Sequence, residues 1–166
     1  MGEASPTGVQ SPGTHVLLSS TASDSHTWNL IFLQLLIEEL GHPVKNLGAC
    51  VPDDVIVAEC MNLRPGLVVI SSVNGHGYHD GLRLARALRR RDELAATPMI
   101  IGGKLGIGSE DEVAQTERLL SAGFTAVFAD GTSLDSFQKF VLSLPAPGSG
   151  VTRSLDSGVR AVEAAW

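Results

Sequence analysis

Residues 66–72 read GLVVISS, and this short run decides the fold class. Four apolar residues follow one another without the alternation of apolar and polar residues that a half-buried strand shows. A strand of this kind is buried on both faces, and such strands belong to parallel sheets that helices cover. The segment therefore predicts a central strand of a parallel α/β sheet.

Strand-like and helix-like segments alternate on both sides of this strand. The sequence predicts strands at 14–20, 42–48, 66–72, 97–103 and 124–131, and helices at 27–40, 52–63, 80–94, 109–123 and 133–144. Successive strand–helix units imply right-handed crossovers. We therefore predict a flavodoxin-like (Rossmann-like), doubly wound five-stranded parallel sheet of order 2-1-3-4-5 with helices on both faces. A Rossmann strand order is the main alternative.

The composition is that of an ordinary globular domain. The 166 residues are 43% hydrophobic and 18% charged, with a formal net charge of −6. This charge has the wrong sign for nucleic-acid phosphates, and no apolar run approaches the roughly 18 residues that a bilayer requires. We expect no nucleic-acid partner, no membrane, and a cytoplasmic location in which Cys50 and Cys60 stay free thiols.

The chain divides into three regions. We expect a flexible leader over residues 1–13. This stretch has neither the basic start nor the apolar run of a secretory signal, so we do not predict that it is one. One folded domain is expected over residues 14–144. A linker-like tail is expected over residues 145–166, whose end reads either as a short helix or as a disordered segment.

Three loops at one edge of the predicted sheet are polar, rich in glycine and long for such connections. They read SSTASDSHTWN (19–29), SSVNGHGYHDG (71–81) and GGKLGIGSED (102–111), and they follow the first, third and fourth strands. Ligands of doubly wound sheets bind at this edge, where the strand order reverses. The glycines match neither a P-loop nor the G-x-G-x-x-G pattern, and this argues against a nicotinamide cofactor. Either they let a flat ligand lie against the backbone, or they only allow the chain to turn.

Asp24 and His26 stand two residues apart in the first of these loops. A carboxylate that accepts from one ring nitrogen fixes the tautomer and makes the other nitrogen a better metal ligand. The alternatives are a helix cap with a solvated imidazole, or a receiver-type phosphotransfer loop, whose usual acidic pair and lysine are missing. No other close His, Cys or carboxylate set accompanies His26. One imidazole therefore suffices only where a macrocycle supplies the other ligands.

On these loops the sequence resembles the cobalamin-binding small subunit of glutamate (methylaspartate) mutase, in the cobalamin-binding domain family. That family carries D-x-H-x-x-G, S-x-L and G-G after its first, third and fourth strands. Here the matching segments are DSHTWN (24–29), SSV (71–73) and GG (102–103), and the resemblance extends over roughly residues 14–144. Asn29 replaces the family glycine and Val73 replaces the leucine.

The resemblance implies a bound adenosylcobalamin with His26 as the lower cobalt ligand in place of the cofactor's own base (base-off, His-on). Asp24 would orient His26, and the displaced nucleotide tail would enter between the first and third strands beside Ser71. The implied cofactor-binding residues are Asp24, Ser25, His26, Thr27, Asn29, Ser71, Val73, Gly75, Gly102 and Gly103, with His26 alone on the metal.

The resemblance also implies an isomerase in two components. This chain would be the non-substrate-binding subunit of a carbon-skeleton mutase, with no catalytic side chain of its own. A larger barrel-type subunit would bind the small amino-acid substrate. His76, Tyr78 and His79 are expected near the corrin rim, where they contact the corrin or the partner, or serve only as loop residues.

Two other functions share this module. One is a corrinoid carrier for methyl transfer, but such carriers bring a helical cap domain, and only 13 residues precede the predicted first strand. The other is a sensory or binding module that uses cobalamin for regulation. We expect the mutase.

Overall fold

The computed structural model describes residues 13–106 and 112–144, in which strands and helices alternate. The elements are β1 (Val16–Ser20), α1 (Trp28–Glu39), β2 (Val44–Asn46), α2 (Asp53–Leu63), β3 (Leu67–Ser71), α3 (Gly77–Arg89), β4 (Met99–Gly103), α4 (Glu112–Ala122), β5 (Ala126–Ala129) and α5 (Leu134–Leu142). Apart from Gly13, the predicted leader and tail lie outside the described residues, as does the predicted start of the fourth helix. No helix in the described ranges is long and apolar enough to span a membrane.

The sheet is parallel throughout, with the strand order β2-β1-β3-β4-β5. This confirms the flavodoxin-like prediction. β3 lies at the centre, and its register with β1 runs from Val16 opposite Leu67 to Ser20 opposite Ser71. The chain leaves β1 towards β2 and leaves β3 towards β4, so the strand order reverses between β1 and β3. The loops that follow Ser20 and Ser71 therefore flank the expected ligand position.

Both faces of β3 are covered, which explains its unbroken apolar run. Val68 and Ile70 pack with side chains of α2, α3 and α4 in one core layer. Leu67 and Val69 pack with side chains of α1 and α5 in the other. Each fully buried side chain of this size stabilises the fold by about 1.5–3 kcal/mol. The two core layers therefore hold β3 in place from both sides.

The third helix differs from its predicted bounds. It begins at Gly77, three residues early, and ends at Arg89, before a separate 3₁₀ turn at Asp92–Leu94. Gly77 permits the early start because it has no side chain. A Cβ at this position would clash, since it would lie 2.7 Å from the Ser72 side chain and 2.8 Å from Leu105. The next residue, Tyr78, is buried in the core and its N–H donates to the Leu105 carbonyl at 2.8 Å. Tyr78 is therefore a core residue of α3 and not a loop residue at the rim.

Gly103 brings the end of β4 against the loop that follows β3. Its φ is 102°, and a Cβ there would lie 2.3 Å from the Ser72 carbonyl oxygen. We predict that Gly103→Ala lowers the free energy of unfolding by about 2–4 kcal/mol, because a backbone clash adds to the left-handed strain. Urea denaturation followed by circular dichroism measures this loss.

Gly131→Ala is the matched control for this prediction. Gly131 has a φ of 90° but open space around its Cβ position. It should show the left-handed strain alone, about 1–2 kcal/mol. If the two variants lost the same free energy of unfolding, the predicted backbone clash at position 103 would be contradicted.

Candidate functional site

The carboxylate of Asp24 joins the loops that follow β1 and β3. Its Oδ1 accepts hydrogen bonds from the backbone N–H of His26 at 2.9 Å and from the ring Nδ1 of His26 at 2.7 Å. Its Oδ2 accepts from the backbone N–H of Val73 at 2.5 Å. The Asp24 side chain is 0% exposed. One buried carboxylate thus holds the imidazole and fixes its loop to the loop after β3.

Asp24 is ionised at neutral pH. Burial raises the pKa of this carboxyl. The hydrogen bonds from the backbone of His26 and Val73 and from the His26 ring lower it by more, so the net pKa lies below its usual value. The carboxylate does not cap α1, whose N-cap position is Thr27 and has no side-chain hydrogen bond. Its contacts are those of a carboxylate that orients an imidazole.

The ring of His26 is 58% exposed, although its partner is fully buried. An ionised carboxylate can only accept, so Nδ1 carries a proton, and in the neutral imidazole Nε2 then carries the lone pair. No described residue donates to Nε2. This is the state in which an imidazole binds a metal ion. Within the described ranges no group of three or more His, Cys, Asp or Glu side chains is arranged to hold a metal.

Asn29 and Ser71 meet across the gap between β1 and β3. The Nδ2 of Asn29 donates to the Oγ of Ser71 at 2.5 Å, which links the first turn of α1 to the end of β3. The Oδ1 of Asn29 is buried and has no hydrogen-bond partner. A buried unpaired acceptor costs about 1–3 kcal/mol, and a bound group with a donor would remove that cost.

The glycines of the site bring backbones together. A Cβ at Gly102 would lie 2.9 Å from the Phe128 carbonyl oxygen, so this position is close to β5. Gly75 has a φ of 82° and its N–H donates to the Lys104 carbonyl at 3.1 Å, which connects the loops after β3 and β4. The loops after β1, β3 and β4 therefore meet at one edge of the sheet. Ser25 and Thr27 are exposed on either side of His26 in the first of them.

Two side chains that sequence reasoning missed hold the first loop at Ser23. Asp80, in the first turn of α3, accepts from the Ser23 hydroxyl at 2.5 Å and pairs with Arg83 at 2.8 Å. Asn74 donates through Nδ2 to the Ser23 carbonyl at 2.8 Å. These partners lie 51 and 57 residues from Ser23 in the sequence. The sole signal in the sequence was the polar character of both loops.

The B12-binding domain model matches residues 14–135 of this chain. The chain belongs to the B12-binding domain family. The match covers all five strands and helices α1 to α4, and it ends at the second residue of α5. This B12-binding domain places the aspartate and histidine of D-x-H in contact, on the loop that the sequence predicts.

Related proteins support the assignment to the B12-binding domain family. Glutamate mutase sigma subunits are 24–28% identical to this chain. The one from Halobacterium salinarum is 28% identical over 125 residues, which cover 73% of this chain and 80% of that subunit. The resemblance stated from the sequence is thereby confirmed, and this chain is a cobalamin-binding domain related to those subunits.

Solved structures show the same fold. A cobalamin-binding protein from Desulfitobacterium hafniense superposes with a TM-score of 0.58 at 21% identity, over 69% of this chain and 52% of that one. This chain thus spans about half the length of that protein. A histidine-kinase receiver domain from Pseudomonas aeruginosa superposes with a TM-score of 0.57 at 15% identity, over 80% of this chain and 97% of that one. The fold is therefore shared by proteins of different function, and the family assignment rests on the sequence.

Asp80 makes the stability of this edge dependent on pH. Burial raises the pKa of Asp80. Hydrogen bonds from Ser23 and Arg83 lower it by more, so the net pKa lies below its usual value. Such a carboxylate contributes stability above its unfolded pKa of about 4, and the contribution is lost as the pH falls through the folded pKa. We predict that Asp80→Asn lowers the free energy of unfolding by about 1–2 kcal/mol at pH 7.

The same substitution should flatten the decline in stability below pH ~4, because Asn does not titrate there. Urea denaturation between pH 7 and pH 3 measures both effects. Asp130→Asn is the control, since Asp130 is an exposed carboxylate after β5. An acid decline as steep in Asp80→Asn as in the unchanged chain would contradict the prediction.

Proposed function

We propose that this chain is the cobalamin-binding subunit of an adenosylcobalamin-dependent carbon-skeleton mutase of the glutamate mutase type. In this proposal His26 is the lower cobalt ligand and the cofactor is bound base-off. The observation that carries it is the 2.7 Å contact between the buried Asp24 carboxylate and the exposed His26 ring. This contact directs the free Nε2 lone pair away from the carboxylate.

Asp24 acts through His26. It keeps the proton on Nδ1, orients the ring and raises the basicity of Nε2. The N–H of Val73 holds Asp24 from the far side, so the imidazole has little freedom to turn. A ligand that is oriented before binding loses less entropy when it binds.

The gap between β1 and β3 is the proposed place for the nucleotide tail. Ser71 would donate to it or accept from it, and the buried Oδ1 of Asn29 would gain the partner it lacks. The tail must first displace the hydrogen bond between Asn29 and Ser71, which crosses that gap. The remaining proposed contacts are made by Ser25, Thr27, Val73, Gly75, Gly102 and Gly103.

The task of this subunit is to bind and orient the cofactor. Bound adenosylcobalamin supplies radical chemistry, and we assign no catalytic side chain to this chain. The sigma-subunit names of its relatives support a heteromeric enzyme, and we propose a larger barrel-type subunit that binds a glutamate-like substrate. Isomerisation of glutamate by the two subunits together would separate this function from methyl transfer. Free thiols at Cys50 and Cys60 support a cytoplasmic location.

His26→Ala tests the proposed ligand. We predict that the unchanged chain converts adenosylcobalamin from its base-on to its His-on absorption spectrum, and that the variant does not, because no other side chain replaces the lost nitrogen. His76→Ala is the matched control: His76 is also exposed, on the neighbouring loop after β3. The Co(II) form of the unchanged holoprotein should show nitrogen hyperfine splitting in its EPR spectrum. A His26→Ala protein with an unchanged spectrum would refute the ligand assignment.

Asn29→Gly tests the hydrogen bond across the tail gap. We predict faster cofactor association in this variant, because the gap no longer has to open against the Asn29–Ser71 contact. Ser71→Ala removes the same contact but also the proposed tail partner, so it should bind faster and release faster. Stopped-flow absorbance measures both rates. An association rate that both substitutions leave unchanged would show that this contact does not limit entry.

A further inference from the structure

A groove lies between α3 and α4 at the surface of the domain. It has a volume of about 580 Å³, which is within the range of about 300–1,000 Å³ that small-molecule sites occupy. We name it the α3–α4 groove, and its lining includes Leu82, Arg86, Arg89, Arg90, Arg118 and Ala122. No Asp or Glu side chain of the described ranges lines it. In a chain with a formal net charge of −6, this groove is a concentrated positive patch.

The α3–α4 groove lies at the edge of the sheet opposite His26. Its α3 arginines lie at the carboxyl end of that helix, which leads to β4, and Arg118 lies near the carboxyl end of α4, which leads to β5. These helices return the chain to the amino ends of the strands, whereas the loops around His26 follow the carboxyl ends. The groove is therefore separate from the proposed cofactor site, and an inference about it does not rest on the proposed function.

The arginines of α3 differ in their partners. Arg83 forms ion pairs with Asp53 at 2.6 Å and with Asp80 at 2.8 Å. Arg86 and Arg90 form no ion pair and no side-chain hydrogen bond within the part of the chain that the structure describes. Because they are four residues apart, Arg86 and Arg90 lie on the same side of the helix. Their guanidinium groups can therefore reach one ligand together.

Arg89 forms a fixed part of the groove. Its guanidinium donates to the carbonyl oxygens of Leu94 at 2.6 Å, Thr97 at 3.0 Å and Gly123 at 2.6 Å. A Cβ at Gly123 would lie 2.7 Å from the Cγ of Arg89, so the glycine lets this side chain lie against the end of α4. Burial lowers the pKa of Arg89, and the partners above are neutral carbonyls. An anion in the groove would stabilise this partly desolvated charge.

The helix ends do not cancel the positive charge. The carboxyl end of a helix carries a partial charge of about −0.5, so α3 and α4 together contribute about −1. Arg86, Arg89 and Arg90 exceed this by about two positive charges, before Arg118 is counted. The groove therefore favours an anion with about two negative charges.

A phosphate group has the charge and the geometry that these arginines require. A phosphate monoester carries about −1.5 to −2 near pH 7, and the planar guanidinium fork donates two parallel hydrogen bonds to its oxygens. The arginines come from two helices and surround one recess, which favours a compact group over an extended acidic segment. Leu82 and Ala122 offer an apolar surface to an attached organic group. We propose that the α3–α4 groove binds the phosphate group of a small organic phosphate.

Isothermal titration calorimetry of the full-length chain with inorganic pyrophosphate tests this site. We expect saturable binding at one site at low ionic strength. Arg86→Gln together with Arg90→Gln should weaken this binding at least about tenfold, because charge-assisted hydrogen bonds are lost. Both side chains are exposed, so the variant should keep the circular dichroism spectrum of the unchanged chain. Backbone amide NMR of the unchanged chain should place the pyrophosphate-induced shifts at the carboxyl ends of α3 and α4.

Arg91→Gln together with Lys139→Gln is the matched control. Arg91 and Lys139 are exposed and do not line the groove. This pair removes the same two charges and should change binding by less than about twofold, because distant exposed charges are screened. Absence of pyrophosphate binding, an equal loss in both pairs, or NMR shifts confined to the loops after β1 and β3 would overturn the proposal. Binding of a hexaglutamate peptide but not of pyrophosphate would also overturn it, and would assign the groove to an acidic protein segment.

Discussion

The site depends on one buried charge. A carboxylate without water is unfavourable by several kcal/mol unless donors surround it. Asp24 has three, from the backbone and ring of His26 and from the backbone of Val73. Since these donors belong to the loops after β1 and β3, the two loops must keep a fixed relative position for the charge to stay buried.

The sheet supplies that fixed position. Ser20 lies opposite Ser71 at the ends of β1 and β3, and a slip of one residue would turn every side chain of a strand to the other face. Both core layers oppose such a slip, because Val68 and Ile70 are buried in one and Leu67 and Val69 in the other. The apolar residues of GLVVISS therefore determine the geometry of a polar site to which the same segment contributes Ser71 at its end.

Local patterns in the sequence predicted the strand order and most of the elements, because unbroken apolar runs and helix-end glycines such as Gly41 are local features. Contacts between distant segments were not predictable in this way. The early start of α3 depends on the absence of a side chain at Gly77, beside Ser72 and Leu105. The Asp24–His26 pair was recognisable because it is local and matches a motif. The hydrogen bonds that Asp80 and Asn74 make with Ser23 were not recognisable from the sequence, because they form only when two loops meet.

The connection from α1 to β2, at Gly41–Pro43, lies at the opposite edge of the sheet from His26. The intervening sheet is about 16 Å wide along a five-residue strand. None of the proposed cofactor contacts comes from this turn. Structural changes there, such as an inserted domain or an affinity handle, are therefore separated from metal coordination by a rigid layer, and the fold is modular in the engineering sense.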